Sequence, residues 1–148
     1  MKVMSGEEAI FSGEILVNKV MAWAYKDNVP DRVLRDGFIS DLKKKGWNEK
    51  CNEKIREIGS DDKLYLTTCF IFHIDAGRHI DLDNIVKFYI DAIFQAAYSD
   101  IKKAQDRPDW KVNKIIAQKD MSEKNKNNER IELKISINDG TLIDCQKA

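Results

Sequence analysis

The chain has 148 residues, of which 43% are hydrophobic and 34% are charged. This is enough for one domain with a substantial core but too short for two comfortable ones. Its 25 basic and 25 acidic residues cancel, which argues against a protein that coats nucleic acid through bulk positive charge. We expect a cytoplasmic protein, because no apolar run is long enough to span a membrane, no signal-peptide core forms, and three cysteines lack metal-like spacing.

The first half of the chain predicts one strand followed by two helices. Residues 8–17 alternate weakly and predict the strand. From Asp31, apolar residues recur at helical spacing up to a basic last turn and Gly46, which is typical helix punctuation. Residues 48–60, "NEKCNEKIREIGS", predict a second short helix with Gly59 beyond its end.

The second half predicts the core of the fold. Residues 63–75, "KLYLTTCFIFHID", are continuously apolar and predict a central strand buried on both faces. Residues 84–97 predict a core helix. The alternating segments 110–120 and 130–138 predict a long-looped hairpin. Together these elements predict a single α/β (α+β) domain with a small mixed sheet of about four strands and two to three helices.

The stretch "HIDLDNIVKFYIDAI", residues 79–93, carries the polar residues that need explanation. Asp81 and Asp83 stand where the buried strand gives way to the core helix, and Lys87 and Asp91 follow Asp83 at i, i+4 intervals. A helix cap plus a ladder of exposed ion pairs, each worth about 0.3–0.5 kcal/mol, explains this spacing without any function.

A metal site explains the same residues in another way. Two carboxylates that converge at the edge of a sheet repel one another unless a cation lies between them, and hard oxygen ligands suit Mg²⁺. The helix N-terminus favours a phosphate oxygen, and Lys87 lies one turn further along. An EF-hand does not fit, because Val86 replaces the required glycine and Ala92 the required glutamate.

The stretch "DLDNIVKFYIDAI" resembles the signature of the RusA-type Holliday junction resolvases, a crossover junction endodeoxyribonuclease family. The matching residues are Asp81, Asp83, Asn84, Lys87, Asp91, Ala92 and Ile93. The later segment "PDWKVNKIIAQK" is similar to a second part of the family pattern through Asp109, Val112 and Lys119. The resemblance covers about residues 63–137.

The resemblance implies a small homodimeric endonuclease, of bacterial or phage origin, that nicks four-way DNA junctions with Mg²⁺ in recombination and repair. It implies that Asp81, Asp83 and Asp109 are metal ligands and that Lys87 is the catalytic lysine. Asp100 and Asp106 compete with Asp109 for the place of the third carboxylate.

The remaining polar residues receive supporting roles. We expect Asp91 to orient Lys87, and Asn84 to fix the turn or bind a metal-bound water. We expect His73 to be a core or interface residue. The candidate DNA contacts are Arg78, His79, Lys102, Lys103, Arg107, Lys111 and Lys119.

Two alternatives stay open, a non-catalytic DNA-binding protein of the same fold and a general flap or single-strand nuclease.

Overall fold

The computed structural model describes residues 8–23, 31–99 and 107–142, and in these ranges the chain forms a four-stranded mixed sheet and three α-helices. The strands are β1 (Glu8–Leu16), β2 (Tyr65–Asp75), β3 (Val112–Ser122) and β4 (Arg130–Asn138), in the order β1-β4-β2-β3. The helices are α1 (Asp31–Lys44), α2 (Glu49–Ser60) and α3 (Leu82–Ala97). The predicted single α+β domain with about four strands is confirmed. None of the described helices is long and apolar enough to cross a membrane.

β2 is the central strand of the sheet, as predicted, but only one of its faces is fully buried. Phe70, Phe72 and Ile74 point to the face that the helices cover and are at most 1% exposed. Ile71 and His73 alternate with them on the other face and are half-buried. The prediction that both faces are buried was wrong, because the described helices cover the sheet on one side only. We call the other side the open face.

The predicted hairpin between the last two strands was also wrong. β3 pairs in parallel with β2, and β4 pairs antiparallel with the opposite edge of β2, so β2 separates the two strands. A parallel pair needs a long crossover, and α3 lies in that connection. The polar segment after β3 crosses the end of β2, where buried Asn125 donates hydrogen bonds to the carbonyls of Ile74 (3.0 Å) and Asp120 (2.8 Å).

α3 is the core helix that the sequence predicts, and it begins at Leu82 rather than Asn84. The Tyr89 ring lies 4.7 Å from Phe38 in α1 and 5.6 Å from Phe72 in β2, between centroids. Its hydroxyl accepts a 2.8 Å hydrogen bond from the backbone N–H of Met21. This apolar stripe is buried within the chain, so it is not available for an interface with a second subunit.

Gly59 lies inside α2, one residue before its end, and not beyond it as predicted. A Cβ at this position would lie 2.9 Å from the Cγ of Pro108 and even closer to the Tyr98 hydroxyl. Glycine therefore lets Pro108 pack directly against the helix. This contact helps to place the one-turn 3-10 helix Asp109–Lys111, which leads into β3.

Glu129 is a buried carboxylate that joins three parts of the chain at the C-terminal end of β2. It is 5% exposed and pairs with the Arg78 guanidinium. It also accepts hydrogen bonds from the backbone N–H groups of Val20 (2.8 Å) and Asp75 (2.9 Å). Arg78 in turn donates to the Val20 carbonyl (2.7 Å). The interaction holds the segment after β1 against the turn that precedes α3.

We expect the substitution Glu129→Gln to lower the free energy of unfolding by roughly 3 kcal/mol, the low end of the loss for breaking a buried ion pair. The neutral amide leaves the Arg78 charge without its counter-ion. Urea denaturation followed by circular dichroism measures the change, with Glu57→Gln, on the exposed side of α2, as the control. A loss no larger than that of the control would contradict this role of Glu129.

Candidate functional site

The two aspartates of the motif lie at the N-terminus of α3, and both side chains are exposed. Asp81 occupies the N-cap position, but its carboxylate accepts no cap hydrogen bond. Asp83 lies in the first turn and forms no hydrogen bond or ion pair with another described residue through its side chain. The capping explanation of the motif therefore fails for Asp81, and neither carboxylate has a structural partner among the described residues.

A cleft of about 650 Å³ separates the edge of α3 from β3. Asp83, Lys87 and Asp91 lie along its helix side because they are spaced at i, i+4. Asp109 also lines it, although it lies at the start of β3 and far away in sequence. The apolar part of the lining consists of Leu82, Val86, Ile90, Ile115 and Ala117. The cleft thus combines three carboxylates and one ammonium on an apolar floor.

Lys87 does not form the expected ladder of ion pairs, since no described ion pair joins it to Asp83 or Asp91. Its ammonium instead lies 5.4 Å from the centroid of the Trp23 ring, a cation–π distance. Trp23 is held nearby because its backbone N–H donates a 3.0 Å hydrogen bond to the Asn84 carbonyl. The Lys87 ammonium therefore contacts the Trp23 ring and is exposed to the cleft.

Asp91 is the titratable group of the cleft whose pKa is clearly displaced. Burial raises its pKa, and the negative charge of Asp109 adds to this effect, whereas the positive charges of Lys87, Arg35 and Arg107 oppose it. The Asp91 and Asp109 carboxylates are thus close enough to interact electrostatically. The sequence suggested only an orienting role for Asp91, but its carboxylate also lines the cleft and interacts with the charge of Asp109.

The ligand atoms of Asp81, Asp83 and Asp109, which were expected to bind one metal ion, do not all lie within 4.8 Å of one another. Asp91 does not lie beside Asp83 either, because the two are eight residues apart and a helical rise of 1.5 Å per residue separates them by about 12 Å along the axis. The described residues contain one group of three His, Cys, Asp or Glu side chains with ligand atoms all within 4.8 Å of one another, and it does not include Asp81, Asp83 or Asp109. Asp100 and Asp106, the competing acids, lie outside the described residues.

The predicted DNA-contacting residues fall into two groups. Lys119 lies beside the motif, because its ammonium donates a 2.9 Å hydrogen bond to the Ile80 carbonyl. His79 is exposed just before the motif, and Arg107 is half-buried near Asp91. Lys119 and His79 therefore lie near the N-terminal end of the helix edge that carries the motif, and Arg107 lies near Asp91, further along the same edge.

Two other predicted DNA contacts, Arg78 and Lys111, are not available in this way. Arg78 is engaged by Glu129, as described above. Lys111 is 3% exposed, and its ammonium donates to the carbonyls of Asp61 and Leu64 (2.9 Å for the latter). We therefore correct the prediction for Lys111, because its buried charge stabilises the start of β3. Lys102 and Lys103 lie outside the described residues.

Sequence reasoning missed a cluster of potential metal ligands on the open face. Glu14, His73 and Glu132 present ligand atoms within 4.8 Å of one another on the open face. They belong to three different strands, so no local spacing in the sequence connects them. One available signal was the alternation of β2, which places His73 on the face opposite Phe72.

We expect Asp81→Asn and Asp83→Asn each to change the free energy of unfolding by less than about 1 kcal/mol, since each removes only an exposed charge near a helix N-terminus. Urea denaturation at pH 7 in EDTA measures both variants against the unsubstituted protein. A loss of several kcal/mol in both would show that the motif stabilises the fold.

We expect Asp91→Asn to stabilise the protein at pH 7. The pKa of Asp91 is raised on folding, so the stability that depends on its protonated form is present below the unfolded value of about 3.9 and is lost as pH rises through the folded value. The asparagine variant removes this loss. Its melting-temperature advantage should shrink as pH falls towards 4 and below, and Asp62→Asn, in the exposed turn before β2, controls for the lost charge. A constant advantage across pH would contradict the assignment.

Comparison of the sequence with protein-family models finds no match, and comparison with curated proteins finds no significant similarity. The likeness to the RusA-type resolvases therefore rests on the motif between Asp81 and Ile93 and on the later segment around Asp109. No family membership follows from it, and the site supports a function only as a proposal.

Proposed function

We propose that this protein is a Mg²⁺-dependent, structure-selective DNA endonuclease that resolves four-way junctions by paired nicks. The observation that supports this function best is the cleft between α3 and β3, where Asp83, Asp91 and Asp109 share one continuous space with Lys87. Carboxylates beside a lysine at a helix N-terminus suit the binding of a metal ion and a phosphodiester together.

The donor set fits Mg²⁺ in its chemistry. Mg²⁺ prefers a few carboxylate oxygens and keeps room for water and phosphate oxygens. Asp81 and Asp83 are exposed and have no partner among the described residues, so they would hold the ion, and Asp109 would complete the set. When bound, Mg²⁺ neutralises phosphate oxygens and lowers the pKa of water.

Lys87 supplies the positive charge that the chain itself contributes to the reaction. Its ammonium is held above the Trp23 ring and has no carboxylate within ion-pairing distance among the described residues. It is thus free to approach a phosphate that enters the cleft. The apolar floor of the cleft excludes some water, which strengthens the attraction between the ammonium and the charge that develops on the phosphate.

The backbone of the DNA is proposed to lie across the N-terminus of α3. The first amide groups of this helix receive no cap from the Asp81 side chain and carry the positive end of the helix dipole. Lys119 uses one of its three N–H donors on the Ile80 carbonyl and keeps the others for a phosphate. His79, exposed beside them, extends this surface.

Resolution of a junction requires two matching cuts, so the proposal includes a two-fold symmetric homodimer with one cleft per subunit. The open face of the sheet carries exposed apolar side chains that could form its interface. Leu16 and Ile116 on this face are 56% and 53% exposed, and half-buried Ile71 lies between their strands.

A non-catalytic DNA-binding protein is the second candidate function. The observation that favours it is the spread of the carboxylates, because Asp81, Asp83 and Asp109 do not lie within ligand distance of one another. In that case the N-terminus of α3, His79 and Lys119 would still bind phosphates.

We expect the purified protein to nick labelled four-way junctions symmetrically in Mg²⁺ and to leave duplex and flap DNA intact. Asp83→Asn and Lys87→Met should each lower the cleavage rate by roughly 100-fold or more, the scale of losing one charge-stabilising group in an active site. Asp62→Asn, an exposed acid far from the motif in sequence, is the matched control and should cleave normally.

The same assay separates the alternatives. Cleavage of junction, duplex and flap DNA alike would indicate a general nuclease. Tight junction binding without Mg²⁺-dependent cleavage would indicate the non-catalytic protein. Comparing Asp91→Asn with Asp109→Asn identifies the third carboxylate, because the ligand variant loses cleavage and the other retains most of it.

A further inference from the structure

The open face of the sheet carries a second group of polar side chains, separate from the cleft. Glu14 in β1 and Glu132 in β4 are directly paired across the two strands, and His73 lies in β2 on the other side of β4. Three neighbouring strands thus present one imidazole and two carboxylates to the same point, with ligand atoms within 4.8 Å of one another.

The His73 ring is fixed from both of its nitrogen atoms. Nδ1 lies 2.6 Å from the Asp120 carboxylate in β3, and Nε2 lies 2.5 Å from the Glu132 carboxylate. Nε2 and the Glu132 carboxylate lie at hydrogen-bond distance, so they share a proton until a metal ion takes its place. Nδ1–H donated to Asp120 would then set the tautomer and the ring orientation, which is the arrangement of metal-binding histidines. Asp120 is outside the three-residue group and orients it.

We propose that Glu14, His73 and Glu132 form a Zn²⁺ site in which Asp120 positions the imidazole. Zn²⁺ binds histidine nitrogen and glutamate oxygen at about 2.0–2.2 Å, and three protein ligands leave a fourth position for water. Tetrahedral bonds of that length bring ligand atoms to about 3.4 Å of one another. The two glutamate side chains are 51% and 46% exposed, so they can turn to close the difference from 4.8 Å.

The surroundings of the group favour an added cation. Three carboxylates surround the single imidazole, which lies at ion-pair distance from Asp120 and Glu132, and Arg130 lies 3.5 Å from one oxygen of Glu14. Such an exposed pair is weak, so it does not prevent Glu14 from binding an ion. The imidazole selects Zn²⁺ over Mg²⁺, which prefers oxygen ligands alone.

The proposed Zn²⁺ site is independent of the proposed nuclease cleft. Ile115 and Ala117 of β3 line the cleft on the side of the helices, whereas Asp120 points to the open face, because neighbouring side chains of a strand alternate. The two sites therefore lie on opposite faces of the sheet, and no ligand of one takes part in the other.

Because the chain contains two histidines, His73 and His79, nuclear magnetic resonance tests the site in the unsubstituted full chain. We expect one equivalent of Zn²⁺ to shift the ring ¹⁵Nε2 signal of His73, to keep its Nδ1 protonated, and to leave His79 unchanged. Unchanged His73 signals at a saturating Zn²⁺ concentration would overturn the proposal.

Calorimetric titration with Zn²⁺ tests the individual residues. His73→Gln should abolish binding at this site, and Asp120→Asn should weaken it about 10- to 100-fold through loss of ring orientation. In the nuclear magnetic resonance experiment, Asp83→Asn, in the cleft, should leave the Zn²⁺-induced shift of His73 intact. If His73→Gln keeps the same Zn²⁺ affinity, the site is rejected. Circular dichroism establishes that each variant is folded. If His73→Gln does not fold, the nuclear magnetic resonance result decides.

Discussion

The packing of α3 against β2 is the constraint on which the rest of the structure depends. Phe72 in the strand and Tyr89 in the helix are fully buried against each other, and this contact sets the rotation of the helix about its axis. With the apolar stripe turned to the sheet, the edge that carries Asp83, Lys87 and Asp91 faces β3. The parallel pairing of β3 with β2 then brings Asp109 to the same cleft.

The charged side chains on this edge of α3 are not arranged to give the helix the greatest stability. A helix of this kind would gain from ion pairs between Lys87 and its two neighbours at i±4, yet the ammonium lies over the Trp23 ring. Burial raises the pKa of Asp91, so its ionised form costs folding free energy. Acids kept in a cleft at such a cost are typical of sites selected for binding or catalysis.

The sheet separates two kinds of chemistry because alternate side chains of a strand point to opposite faces. On the helix side, carboxylates and a lysine line the cleft in which we propose that Mg²⁺ binds. On the open face, His73 lies between Asp120 and Glu132 in an arrangement that suits a softer one. A small sheet covered on one side therefore has room for two distinct sites, and the open face is also the surface that a second subunit would cover.

The sequence by itself determined the elements and their order, because helical spacing and capping are local properties: α1, α3 and the central position of β2 were all predictable. The i, i+4 spacing alone was also enough to place Lys87 and Asp91 on one edge of the helix. Only the tertiary structure decided that β3 pairs with β2 rather than β4, that one face of the sheet is open, and that Asp109 shares a cleft with Asp91. It also brought Glu14, His73 and Glu132 together. These features depend on strand order and register between distant segments, which local patterns do not encode.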